Sequence, residues 1–191
     1  MMLPKSEIES RVNKFYLLMN DKNPDWDIAV VFDRVNQYYF TGTMQNSVLI
    51  FTKDNGVHYF VKKSYKRALD ESQFSDIHPI KSFRDIISVL GDKKYATGYI
   101  EKSKLPIGLF EMINKYLKID NAESLDEVIS YQRSIKSSYE IKIMKEVGAR
   151  HAEFVRKIVP GLLKDGMTEL EFAALYGYEM IKFGHQGMHR F

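Results

Sequence analysis

The sequence predicts an α/β fold, with a mixed sheet flanked by helices, followed by two helices of a second, incomplete domain. Three observations carry that prediction. Short apolar runs rich in β-branched residues alternate with amphipathic stretches up to about residue 130. Two of those runs flank Asp54-Asn55-Gly56, a step suited to a tight hairpin. From Ser137 onward the texture turns wholly helical.

Each element arises from local chemistry. Ser6 and Glu9 have capping-box spacing, and Ile8, Val12, Phe15 and Leu18-Met19 recur at helical spacing, so residues 6–20 are expected to form an amphipathic helix. Residues 28–32, Ile-Ala-Val-Val-Phe, are continuously apolar and read as a strand covered on both faces, with Asp27 at its start. Residues 47–51 and 57–61 read as the antiparallel hairpin pair. A weak helix is expected over 64–74. His78-Pro79-Ile80 is held extended by its proline, and Ser82 caps a helix over 83–90. Residues 95–99 and 119–122 read as strands, 106–117 as a helix with proline in its first turn, and 125–133 as a short helix.

Beyond that point Ile141, Met144, Val147-Gly148, Ala152, Val155 and Ile158-Val159 fall roughly on one face of a helix of about six turns, stopped by Pro160-Gly161. Thr168 and Glu171 open a second helix through Phe172, Leu175 and Met180, with Gly184 ending it. Two helices enclose no core of their own, and an apolar face left uncovered costs about 25 cal/mol per Å².

Composition narrows the function classes. Hydrophobic residues make up 45% of the 191, charged residues 28%, with 12 Tyr and 12 Phe, as in ordinary globular proteins. The net charge is only +3 and the basic residues are scattered, which argues against nucleic acid as a partner. No cysteine is present, so disulfides, thiolate metal sites and cysteine nucleophiles are excluded. The charged start and the lack of an apolar run of about 18 residues favour a cytoplasmic protein with no membrane association.

Two segments carry a family likeness. Asp27-Ile28-Ala29-Val30-Val31, then Asn36-Gln37-Tyr38-Tyr39-Phe40-Thr41-Gly42-Thr43, then Val48-Leu49-Ile50, resembles the opening of the creatinase-type N-terminal domain, in which a Tyr-(Leu/Phe)-Thr-Gly turn joins two strands. Arg133-Ser134-Ile135-Lys136-Ser137, Glu140-Ile141, Met144-Lys145, Pro160-Gly161-Leu162 and Gly166-Met167-Thr168-Glu169-Leu170-Glu171 resemble the start of the pita-bread catalytic domain of Xaa-Pro dipeptidases and aminopeptidases P. Methionine aminopeptidases share that catalytic fold without the N-terminal domain. The resemblance therefore implies a creatinase-like domain over 1–130 and, over 131–191, a linker and the first helices of a truncated pita-bread metallopeptidase domain.

It implies further that the parent protein is a homodimer that cleaves the bond before proline in short proline-containing peptides. Its two divalent metal ions, commonly Mn, Co or Zn, would be held by two Asp, one His and two Glu, all expected beyond Phe191. On that expectation this chain carries no catalytic residue, metal ligand or cofactor and is inactive alone. Two other readings stay open from the resemblance, a non-catalytic binding or dimerisation module of the same fold and a creatinase-like amidinohydrolase. An unrelated α/β domain is the third.

Candidate site residues are few. His185 and His189 stand four apart, but Gly184 and Gly187 interrupt a helix there and the H-E-x-x-H pattern is missing, which argues against zinc. The family reading places His185, His189 and Arg190 on a strand toward the substrate pocket. Tyr39, Phe40, Thr41 and Gly42 read as aromatic residues at a strand end with a glycine turn or, by the resemblance, as a dimer loop near the neighbouring subunit's active site. His58, His78 and His151 have no second ligand at useful spacing and receive no function. Trp26 and the methionines read as packing groups, and Lys62-Lys63 and Lys93-Lys94 as solvated turns.

Overall fold

Strand β1 (Ile28–Val31) is buried along its whole length and forms the middle of a six-stranded sheet. A computed structural model describes residues 2–186, which divide into two compact units between Ile135 and Lys136.

The first unit runs α1 (Lys5–Lys22), β1, α2 (Arg34–Thr41), β2 (Asn46–Thr52), β3 (Gly56–Lys63), α3 (Tyr65–Glu71), β4 (Ile77–Pro79), α4 (Ile87–Leu90), β5 (Tyr95–Ile100), α5 (Ile107–Leu117), β6 (Ile119–Ser124) and α6 (Asp126–Ser134). Sheet order is β4-β3-β2-β1-β5-β6. Pairing is parallel everywhere except on the two sides of β2. Because β2 alone runs against the rest, the C-terminal ends of β1, β3, β4, β5 and β6 share one edge of the sheet. Ligands of open α/β sheets gather in the crevice at that edge.

Alternation along the strands splits the core into two layers. Ile28, Val30, Val48, Ile50 and Phe60 pack with Ile86, Leu90, Ile113 and Leu117 of α4, α5 and the turn between β4 and α4. On the other face Phe15 of α1 lies 4.1 Å from the Phe51 ring and 5.5 Å from Phe40, with Trp26 edge-on at 6.4 Å. Such aromatic pairs contribute about 0.5–1.5 kcal/mol beyond their buried area. β5 and β6 approach so closely at Gly98 that a Cβ there would sit 2.7 Å from Ile119 Cγ2.

Two local expectations fail. Ser6 does not cap α1. Pro4, extended at ψ 144, is the N-cap, and the Lys5 N–H donates to Gln73 Oε1 at 2.8 Å, so Ser6 lies inside the helix. The hairpin is also wider than a two-residue turn. Lys53-Asp54-Asn55 form the loop, Gly56 alone takes positive φ at 87°, and the Asn55 N–H is satisfied by Thr52 Oγ1. Ser82 starts its helix as expected, with the Asp85 carboxylate accepting from Ser82 N and Lys81 N.

The second unit contains α7 (Ser138–Glu153) and α8 (Glu169–Lys182). Both open on reciprocal capping boxes. Ser137 Oγ accepts from Glu140 N while Glu140 Oε2 accepts from Ser137 N, and Thr168 and Glu171 repeat the exchange. α7 widens into a π turn over Phe154–Ile158 and tightens into a 3₁₀ turn over Val159–Leu162. Pro160 has no N–H for the Arg156 carbonyl and its ring would crowd that oxygen, which the widened turn relieves. Gly184 ends α8 at φ +99°, as the sequence suggests.

Candidate functional site

Asp33 turns the chain from β1 into a helix. Its Oδ1 accepts from Val35 N at 3.1 Å and Asn36 N at 3.0 Å, starting α2, which Gly42 ends in the left-handed region at φ 76°. A Cβ on Gly42 would lie 2.9 Å from Leu3 Cβ, a second reason for glycine. The Tyr39-Phe40-Thr41-Gly42 segment is therefore the last turn of a helix, which corrects the strand-end turn expected from its β-prone residues; the cap and the αL glycine outweigh propensity.

Within that turn Phe40 and Thr41 are fully buried and Tyr39 nearly so. Phe40 packs 5.0 Å from Phe51. Arg11 donates to the Tyr39 carbonyl at 2.6 Å and lies 4.1 Å over its ring. Thr41 Oγ1 donates to Gln37 O at 2.8 Å. The large hydrophobic residues exposed around this segment are Val35, Tyr38 (47% exposed) and Met44. Tyr38 and Met44 share a surface cleft with Met2 and Arg67.

A polar cluster holds the C-terminal edge of the sheet. Glu101, just past β5 and 1% exposed, accepts from Phe32 N at 2.6 Å, Asp33 N at 2.7 Å and Asn36 Nδ2 at 2.5 Å. Asn36 Oδ1 in turn accepts from Arg133 Nη1 at 2.7 Å. Burial pushes the Glu101 carboxyl up, and its hydrogen bonds oppose that only in part. Burial also acts on Asp33, but Lys104 at 3.0 Å and the α2 N–H groups outweigh it and hold that carboxyl low. Gln37 ties β1 to β2, donating to Val31 O at 3.1 Å and Ser47 O at 3.0 Å.

The cleft beside this cluster is lined by Asp33, Arg34, Ser47, Lys62, Phe83 and Lys104. It presents cations and one carboxylate, and no nucleophile there is hydrogen-bonded to a base. That chemistry suits binding and positioning.

Sequence reasoning missed one grouping. His58 of β3, Asp76 just before β4 and His78 of β4 bring their ligand atoms within 4.8 Å of one another, the one such group among the described residues. This corrects the expectation that His58 and His78 lack a partner ligand. The parallel pairing of β3 and β4, with Phe60 opposite His78, unites residues 20 apart in sequence. An Asp-x-His leading into one strand, beside a histidine on its neighbour, was the available signal. In the second unit His185 lines a shallow pocket with His151, Phe154 and Met180. His189 and Arg190 lie outside the described residues.

Among the described residues no helix is long and apolar enough to cross a membrane. The chain is 26% identical over 178 residues to the Xaa-Pro dipeptidase of Pyrococcus horikoshii, a match covering 91% of this chain and 48% of that one. Two solved structures agree with this fold. The prolidase of Pyrococcus horikoshii OT3 has a TM-score of 0.75 at 25% identity, covering 93% of this chain and 50% of its own. The prolidase of Pyrococcus furiosus has a TM-score of 0.74 at 26% identity, covering 92% and 54%. The chain thus spans about half the length of the curated relative it matches. The family described as the creatinase/prolidase N-terminal domain matches residues 11–135, from α1 through α6, and the chain belongs to that family.

Proposed function

We propose that this chain is the N-terminal part of a metal-dependent Xaa-Pro dipeptidase or aminopeptidase and that it contributes oligomerisation and substrate access rather than bond cleavage. The observation that carries this reading is the match of residues 11–135 to the creatinase/prolidase N-terminal domain, extended by a relative named Xaa-Pro dipeptidase over 91% of the chain. We set the boundary between the creatinase-like unit and the linker and first helices of a pita-bread catalytic domain after residue 135 rather than 130, because the family match and the first compact unit both extend that far. Exposed Ile141, Met144, Val147, Leu170 and Ile181 on α7 and α8 support the second assignment, as a face that the rest of a catalytic domain would cover.

The two divalent ions implied by the family need two Asp, one His and two Glu, and the described residues assemble no such set, since their one cluster of three donors offers a single carboxylate. The contribution of this chain is then the framework. Asp33 and Glu101 hold α2 so that Val35, Tyr38 and Met44 project as a homodimer contact near the partner's substrate entrance, with the cytoplasm as the setting. Tyr39, Phe40, Thr41 and Gly42 act beneath that surface, as the turn that aims it.

The test compares the native gene product with these 191 residues alone on Gly-Pro-type dipeptides with Mn²⁺ or Co²⁺ added. The native product should hydrolyse them and the 191 residues should not. Metal-dependent turnover by the 191 residues, or a native product that cleaves no Xaa-Pro bond, would overturn the proposal.

A further inference from the structure

We propose that His58, Asp76 and His78 form a binding site for one divalent transition-metal ion of the zinc and cobalt class. The inference stands apart from the peptidase reading and concerns the edge of the sheet where β4 meets β3.

The hydrogen bonds point there first. His58 Nε2 is 2.9 Å from the Asn55 carbonyl oxygen. A carbonyl only accepts, so Nε2 carries the proton and, in the neutral ring, Nδ1 bears a lone pair. That Nδ1 is 2.5 Å from Asp76 Oδ2, and His78 Nε2 is 2.7 Å from Asp76 Oδ1. Despite these short contacts both nitrogens are buried without a hydrogen bond of acceptable geometry. The His58 lone pair thus faces a carboxylate, and His78 Nε2 is buried against the same carboxylate, an arrangement that a central cation satisfies at three points.

The coordination chemistry agrees. Two imidazoles and a carboxylate suit zinc or cobalt, with a fourth position left for water. Tetrahedral bonds of about 2.0–2.1 Å place ligand atoms about 3.3 Å apart. The three ligand atoms already lie within 4.8 Å of one another, and the Asp76 side chain, 41% exposed, has room to draw back from its short contacts toward that spacing. The surroundings supply the outer support metal-bound histidines ordinarily have. The Asn55 carbonyl orients His58, and the Phe60 ring stacks on His78 at 5.3 Å and 27°. A bound ion would fasten β4, an edge strand of three residues, to β3.

Co²⁺ titrated into the 191-residue chain tests this directly. The expected result is saturable appearance of visible ligand-field bands at one ion per chain, with the His58 and His78 imidazole resonances shifting in parallel under Zn²⁺. Asp76→Asn and His78→Gln should each weaken binding at least about tenfold, while a His185→Ala/His189→Ala double variant binds as the parent does. Absence of saturable binding, or unchanged affinity in folded Asp76→Asn and His78→Gln proteins, would overturn the site. The imidazole resonances of the unaltered chain decide the matter even if a variant misfolds.

Discussion

Helices α1 and α7 are of similar length and both amphipathic, yet they live in different circumstances. α1 buries Ile8, Phe15 and Met19 against a sheet, whereas α7 buries no residue within its bounds, and the buried hydrophobics of the whole second unit are Phe154 and Met180 among the described residues. The difference lies in neighbours rather than in helix chemistry, since α7 is the better capped of the two. A helix gains most of its stability from the apolar face it buries, so capping alone supports a start and not a core.

That contrast is broken most severely by truncating a side chain on each side of it. Phe51→Ala removes a ring packed between Phe15 and Phe40 and should cost about 3–5 kcal/mol in urea denaturation. Leu170→Ala, at a residue 82% exposed, should cost under about 0.5 kcal/mol. Comparable losses would mean that the second unit carries a core of its own.

The sequence reveals the six strands and the helices other than α2 because their signals are local. β-branched runs, prolines and capping pairs each act within a few residues. It does not reveal that Tyr39, Phe40 and Thr41 are helical, since their strand propensity is overruled by the Asp33 cap and the Glu101 carboxylate, the latter supplied from 68 residues away. His58 and Asp76 are likewise joined only by sheet pairing. Asp33 was the one local clue to α2, an N-cap residue directly after a strand.

Gly98→Ala comes next in size. The added methyl meets Ile119 on the neighbouring strand and should cost about 1–3 kcal/mol, read as a lower denaturation midpoint. An unchanged midpoint would show that β6 can shift outward freely.

Glu101→Gln offers a comparable loss with a pH signature. The amide oxygen can keep the Phe32 and Asp33 donors only by turning its N–H₂ against Asn36 Nδ2, so one donor pair is left opposed at a cost of about 1–3 kcal/mol. Because the folded-state pKa of Glu101 is raised, its contribution is fully present below the ordinary glutamate value of 4.5 and is lost as pH rises through the folded value. The stability advantage of the parent over Glu101→Gln should therefore shrink as pH climbs from about 4 toward neutrality. Asp33, held low, works the other way, losing its contribution as pH falls below 3.8. An advantage that grows over the climb from about pH 4 would contradict the burial of Glu101.

The smallest effect is expected in the second unit. Thr168→Ala deletes the oxygen that accepts from Glu171 N and should cost about 1 kcal/mol of local helix stability, seen as faster amide exchange at the start of α8 with the sheet unaffected.

Native-state hydrogen exchange on the 191-residue chain tests the contrast most directly, because it reads the stability of the two units in one molecule. Amides of β1, β2, β3 and β5 should exchange only through global unfolding, while those of α7 and α8 exchange through a separate opening of much lower free energy. Equal protection of α7, α8 and the central strands would show that the second unit needs nothing further to cover it, and would contradict its reading as the opening of a larger domain.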